Sequence, residues 1–397
     1  MPIVNRIAEF HTDMTTWRQD LHTHPELALQ EVRTSGVVRQ KLAEFGVDEI
    51  ITGMAKTGVV GVIRGRGPHS APGGRAIGLR ADMDALPITE ETGLPYASQN
   101  PGVMHACGHD GHTTMLLGAA RYLAETRNFD GTVYVIFQPA EENLAGGEIM
   151  VKDGLFEKCP MDRIFGLHNR PGMKLGEFGW RVGPMMAAVA NIEITITGRG
   201  AHGAHPDHGI DPIVIAAQIV SALQTIVARS MDPTACGVVT IGHISGGQTY
   251  NVIPETVHMK GTARWFAPAI GDVLEQGVRR LAGGIAASFG ARAEVRFDRA
   301  YPATVNEAAS TALTVAAAKA VSGEGRVHEL ADPTMGGEDF SFMLEKKDGS
   351  YIVLGADDAA HKAMVHQPDY DFNDAMLPIG ASYWATLAEQ LLPRGEG

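Results

Sequence analysis

Between Met104 and His112 the chain reads Met-His-Ala-Cys-Gly-His-Asp-Gly-His, so three imidazoles, a thiol and a carboxylate fall within nine residues. These side chains are common protein ligands of divalent transition metals. Cys107 and His109 stand two apart where the chain enters the apolar, small-residue segment Thr113 to Ala120. That pattern predicts a thiolate and an imidazole side by side at the start of a buried helix. A helix start with satisfied core histidines and a buried cysteine would account for any one of these residues. A metal site accounts for the cluster.

Further candidate ligands follow predicted strands. The run Ala76 to Arg80 leads into Ala81-Asp82-Met83-Asp84, the run Gly131 to Gln138 into Pro139-Ala140-Glu141-Glu142, and the run Arg163 to His168 delivers His168. In open α/β sheets the carboxyl ends of the strands are where ligands bind. Adjacent residues point in different directions, so one of Glu141 and Glu142 can hold a metal while the other faces solvent or substrate. An exposed acidic turn is the alternative for that pair. His22 and His24 are either further ligands or part of a polar loop, since Pro25 pushes His24 out of the helical region. No Gly-x-Ser-x-Gly occurs, the pair His328-Glu329 lacks a second histidine four residues on, and the loop Gly65 to Gly74 has no phosphate-binding pattern. What is left suits a two-metal hydrolase, whose ions lie about 3.5–4 Å apart and share ligands, with a free carboxylate to take a proton from water.

The elements that must position these residues are legible as periodicities. Ile3, Ile7, Phe10, Met14, Trp17 and Leu21 form one apolar stripe, which predicts a helix over 3–22, and a second helix over 31–45 stops at Gly46. Gly58 to Arg64 and Ala76 to Arg80 predict strands joined by a hairpin or crossover turn. The pattern changes near Gly183. Strands over 189–197, 236–243, 254–265 and 291–299, with helices over 211–229 and 273–289, give the order β-α-β-β-α-β of the ferredoxin-like unit. The tail resumes with a helix over 307–320, the loop Met335 to Phe340, a strand over 351–354 and His366-Gln367-Pro368 before a last helix. The expected fold class is therefore α/β, with a catalytic domain over 1–184 and 300–397 built on a mixed central sheet flanked by helices, and an inserted domain over 185–299.

The chain has 397 residues, 44% of them hydrophobic and 20% charged, which is enough to bury two cores. Its formal net charge of −13 argues against a nucleic-acid partner and leaves a small-molecule substrate. Three widely separated cysteines make a disulfide framework improbable and point to a reducing compartment, the cytoplasm. Charged residues scattered through Met1 to Asp20 predict neither a signal peptide nor a membrane span.

The motifs HACGHDGH (105–112), FQPAEE (137–142), GLHNRPG (166–172), GRGAHGAHPDHGIDPI (198–213), NVIPETVHMKGTAR (251–264), MGGEDFSFML (335–344) and VHQPDYDFND (365–374) resemble, in the same order, the aminoacylase, hippurate hydrolase and indole-acetyl-amino-acid hydrolase family of dinuclear metallopeptidases. The resemblance spans nearly the whole chain. It implies Cys107, His109, Glu142, His168 and His366 as metal ligands and Glu141 as general base. It implies Asp84, rather than a ligand role for Asp82, as the group that orients a metal-bound histidine from behind. His202, in the inserted lid or dimerisation domain, would polarise the scissile carbonyl. The motif reads His-Gly-Ala-His where His-Ala-Ala is more usual, so His205 is a rival. Asn251, Arg264 and Gly337 would bind substrate, the first two through its carboxylate; a turn asparagine and a structural salt bridge are the alternatives for those two. The implied activity is hydrolysis of N-acyl or N-aroyl amino acids with two divalent ions per chain, zinc or manganese, with cobalt or nickel also compatible. A homodimer or dimer-based oligomer is expected, with His202 lent to the partner chain. A dipeptidase, an N-acetyl-diaminopimelate deacetylase and a catalytically silent ligand-binding relative are the competing readings; a retained Glu141 argues against the last.

Overall fold

Eight strands form one sheet in the computed structural model, which describes residues 3–394; residues 1–2 and 395–397 of the expected domain ranges lie outside the described residues. The strands are β1 (Glu49–Met54), β2 (Gly58–Arg64), β3 (Ala76–Asp82), β4 (Thr132–Gln138), β5 (Arg163–Lys174), β6 (Phe178–Trp180), β7 (Val327–Glu329) and β8 (Gly349–Asp357), in the spatial order β1-β2-β4-β3-β5-β8-β6-β7. β4, β3, β5 and β8 run parallel, β1 and β2 pair antiparallel with their neighbours, and β6 is antiparallel to β8 but parallel to β7. The 65–74 loop is the crossover rather than the hairpin, because β4 is inserted between β2 and β3. β3 and β4 are buried at every residue, as parallel strands covered on both faces must be, and this is why they read as continuous apolar runs.

The helix His109–Thr126 is buried on all sides from His109 to Ala120. Its small residues permit close approach: a Cβ at Gly118 would sit 2.4 Å from Met14 Sδ, and one at Gly111 would sit 2.2 Å from the Phe372 ring. The single helix expected over 3–22 is instead Asn5–Glu9 followed by His11–Thr23, broken at Phe10 with its apolar stripe intact. The helix Val32–Phe45 does end at Gly46, whose φ of +72° is the left-handed cap that glycine adopts most readily. β1 and the short β6 and β7 were not expected, since their sequences are brief and only partly apolar.

A second sheet is antiparallel, in the order Gly237–Gly246, Thr256–Trp265, Ala188–Thr197, Arg292–Tyr301. This is the strand order of the ferredoxin-like unit. Ala188, Ala190, Ile192, Ile194 and Ile196 are buried and alternate with exposed Asn191, Glu193 and Thr197, so one face meets the helices Pro212–Thr225 and Pro268–Ser288. The second helix begins five residues before the expected 273 because Pro268 occupies its first position, where no backbone N–H is needed. Pro212–Ser230 is, among the described residues, the one helix that could cross a membrane by length and composition, with a mean hydropathy of 1.5. Its Ile215, Ala216, Ile219, Leu223 and Ile226 are buried in the core beneath this sheet.

The chain divides into a first unit of Met1–Met185, Thr304–Pro333 and Glu338–Gly397 and a second of Met186–Ala303 and Thr334–Gly337. The second unit thus runs past the expected limit of 299. The strand Arg292–Tyr301 extends it, and Gly336 accepts a hydrogen bond from the Ala187 N–H at 2.9 Å, which ties 334–337 to this unit.

Candidate metal centre

His109 opens its helix and is fully buried. Gly108 before it has φ +89°, a conformation that costs an L residue about 1–2 kcal/mol, and a Cβ there would lie 2.7 Å from Tyr370 Oη. Only glycine fits this turn, which lets Cys107 and His109 face a common space. β5 pairs with β3 only as far as Gly166, then continues and carries His168 to the same place. His168 Nδ1 donates to the Asn169 carbonyl at 2.7 Å, so Nε2 is left unprotonated, 3.5 Å from Cys107 Sγ. Donor atoms of Cys107, His109 and His168 all lie within 4.8 Å of one another.

Strained backbone delivers the other two expected ligands, at Ala140 two residues before Glu142 and at His366 itself. Ala140, with φ +58°, turns the chain sharply after β4, and its N–H is anchored on buried Glu31 Oε1 at 2.9 Å. His366 has φ +67°, rare for a residue with a β-carbon, and its N–H donates to the Ala106 carbonyl at 2.7 Å. That bond ties His366 directly to the segment that bears Cys107. Donor atoms of Cys107, Glu142 and His366 again fall within 4.8 Å, so the structure gathers all five expected ligands into two triads that share the thiol. Asp84 bridges them from behind: Oδ1 accepts from His109 Nδ1 at 3.2 Å and Oδ2 from the Glu142 N–H at 3.0 Å.

His109 Nε2 and Glu142 Oε1 are buried, 3.8 Å apart, and neither makes a well-formed hydrogen bond, although His366 Nε2 lies 3.3 Å from Glu142 Oε1. Buried polar atoms in folded proteins are almost always satisfied. A thiol, imidazole nitrogens and carboxylates converging on unsatisfied ligand atoms fit divalent cations. The electrostatics agree. Burial, then Glu142, Glu141 and Asp82, push the Cys107 thiol well above its usual pKa. Burial opposes a charge on His109, yet Asp82, Asp84 and Glu142 raise its pKa to about 10. Burial and then Glu338, Glu142 and Asp339 push Glu141 well above the usual carboxylate range. These carboxylates concentrate negative charge on the ligand atoms, which suits a divalent cation. Glu141 itself accepts the Asp339 N–H at 3.3 Å through Oε1.

His22 and His24 do not join any such triad among the described residues. His22 is buried between Asp110 at 2.8 Å and Glu90 at 3.3 Å, and His24 Nδ1 bonds the Asp20 carbonyl at 2.9 Å. Asp82 faces His112 Nδ1 at 2.6 Å, with Arg80 on its other oxygen at 2.6 Å. His112 lay in the cluster but was given no role, and Asn169, Tyr370, Glu31 and Arg80 were missed by sequence reasoning. Of the missed residues Arg80 alone carried a signal: a charge inside the apolar run AIGL-R-A that precedes Asp82.

The remaining candidates belong to the second unit. His202 is exposed on a two-residue strand paired with Val252, and the adjoining Gly203 N–H donates to the Asn251 carbonyl at 2.8 Å. His202 Nδ1 accepts the Ala204 N–H at 3.0 Å, which places the ring proton on Nε2. His205 lies beside it with ring centroids 5.5 Å apart and the planes tilted by 53°. Arg264 is half-buried, bonds Thr262 Oγ1 and the Ala263 carbonyl, and has no ion pair among the described residues. At Gly337 a Cβ would lie 2.4 Å from Val189 Cγ2.

Residues 78–390 match the peptidase family M20/M25/M40. The chain is 39% identical over 392 residues to a hippurate hydrolase of Campylobacter jejuni, an alignment covering 99% of this chain and all of the relative. It is 40% identical over 381 residues to an N-acetylcysteine deacetylase of Bacillus subtilis, covering 96% of this chain and 97% of that one. A Bacillus subtilis dinuclear metal-binding peptidase of the M20 family superposes with a TM-score of 0.83 at 37% identity, over 97% of this chain and 99% of the other.

Proposed function

The chain belongs to the peptidase family M20/M25/M40, and we propose that it is a metal-dependent amidohydrolase that cleaves N-acyl or N-aroyl amino acids into a carboxylic acid and a free amino acid. The observation that carries this reading is the pair of triads around Cys107 with Glu141 beside them. Cys107, His109, Glu142, His168 and His366 would hold two divalent ions, zinc or manganese by ligand type, with cobalt or nickel also compatible. When bound, such ions polarise a carbonyl and make water acidic. Glu141 takes the proton of the attacking water on its carboxylate and returns it to the departing nitrogen. Asp84 holds His109 and the Glu142 backbone in place.

His202 stabilises the oxyanion, and its Nε2 proton is the property that favours it over His205. Arg264, a half-buried cation with no acidic partner among the described residues, suits the substrate carboxylate, with Asn251 and Gly337 assisting. We also propose a homodimer in which His202 serves the partner chain. Exposed Ile213, Val214 and Val227 on the Pro212–Ser230 helix, and the unpaired edge of Gly237–Gly246, support a self-complementary interface. The unpaired cysteines suit the cytoplasm.

Apoenzyme reconstituted with each metal and assayed on hippurate, N-acetyl amino acids and dipeptides tests the activity. Turnover of dipeptides alone would overturn it. Mixing Glu141→Gln chains with His202→Ala chains tests the dimer: activity returns only if His202 acts across it, and silence in proven mixed dimers overturns that claim.

A further inference from the structure

We propose that Arg80 is a positioning residue for the proposed general base, an inference that rests on the role given to Glu141. Arg80 lies in the middle of β3, 1% exposed, between two parallel neighbours. A buried ion network is seldom more stable than packed apolar side chains, so its presence there calls for a geometric reason.

The bonds supply one. Arg80 Nε donates to Gln138 Oε1 at 2.8 Å, NH1 to Asp82 Oδ2 at 2.6 Å, and NH2 to Glu338 Oε1 at 2.9 Å and Asp339 Oδ1 at 3.0 Å. These acceptors stand on three separate segments: the exit of β4, the exit of β3, and the turn Glu338-Asp339. The first segment leads in three residues to Glu141, the second in two to Asp84. The third contacts Glu141 itself, through the Asp339 N–H to Oε1 at 3.3 Å. The turn has no regular structure of its own. It is held by Arg80, by Tyr351 Oη on Glu338 Oε2 at 2.7 Å, and by Gln138 and the Gly147 N–H on Asp339 Oδ2, each at 2.8 Å. One guanidinium therefore fixes the spacing of the segments that surround Glu141. Its planar fork reaches four acceptors on these three segments in fixed directions; an ammonium has only three donors, all on one nitrogen, and cannot.

Arg80→Lys keeps the charge and removes the fork, and hippurate is the probe. The expected result is a kcat lower on the order of 10-fold to 100-fold, KM within about twofold, and full metal content. In a Glu141→Gln background the same change should cause no further loss, because Arg80 acts through Glu141. An Arg80→Lys enzyme with lowered thermal stability and unchanged kcat would show a mere counter-charge and overturn the proposal. So would an equal further loss in the Glu141→Gln background. If Arg80→Lys does not fold, Asp339→Asn takes its place: it leaves one acceptor oxygen where Arg80 and the Gly147 N–H use two, and unchanged kcat in that folded variant overturns the proposal equally. Full turnover by Glu141→Gln would instead sink the general-base reading itself, while an inactive Glu141→Gln beside a normal Arg80→Lys would sink only the positioning role.

Discussion

The two units bury different chemistry. Among the described residues every buried polar or charged side chain, from Arg18 to Ser382, lies in the first unit; the buried set of the second is wholly apolar. The second unit is a one-sided antiparallel sheet under two helices, held by burial at about 1.5–3 kcal/mol for each large aliphatic residue. The first has a larger apolar core and, at the carboxyl ends of its parallel strands, a concentration of carboxylates and imidazoles whose desolvation opposes folding. Buried polar chemistry is thus confined to one unit, while the other is held by apolar packing alone. The scaffold can be optimised for packing in one place while the other place tolerates strain at Ala140 and His366.

Four experiments break or sharpen this contrast. The largest effect belongs to the charged centre. Glu141→Gln should fold, keep its metal and lose on the order of 10²-fold to 10⁴-fold in kcat, whereas Glu142→Gln should lose metal affinity; the reverse pattern in metal analysis and kinetics would exchange the two roles. In the apolar unit, Ile219→Ala should destabilise by about 2–5 kcal/mol and leave metal content unchanged. Calorimetry with metal analysis checks this, and metal loss on that substitution would erase the separation. Gly108→Ala should destabilise the first unit by more than the about 1–2 kcal/mol of its backbone conformation, because the Cβ would also lie 2.7 Å from Tyr370 Oη, and should weaken metal binding, read by denaturant titration with and without added zinc.

The smallest effect is a pH dependence. Asp371 and then Asp358 raise the pKa of His361 to about 8 from an ordinary 6.5. A raised histidine pKa means that folding favours the protonated ring. Its contribution is complete below pH 6.5 and is lost as pH rises through about 8. Because the pair is partly solvated, its size stays under about 1 kcal/mol. His361→Gln should flatten the stability profile over that window, and an unaltered slope would remove His361 from the account.

The sequence by itself determined the α/β class, the ferredoxin-like order of the second sheet and the residues that could bind metal. The reason is local: periodicity follows from the 2.0 and 3.6 repeats of strand and helix, and ligand chemistry belongs to residue type. Tertiary structure alone decided what those residues meet. That β4 separates β2 from β3, that His366 is tied to Ala106 from the far end of the chain, and that Arg80 binds three segments at once are all pairings between distant residues. Strand order depends on which apolar faces can be covered together. A hydrogen bond across 260 positions of chain, between Ala106 and His366, leaves no periodic trace in either segment. His22 shows the limit from the other side: its residue type suited a ligand, and burial between Asp110 and Glu90 made it part of the support instead.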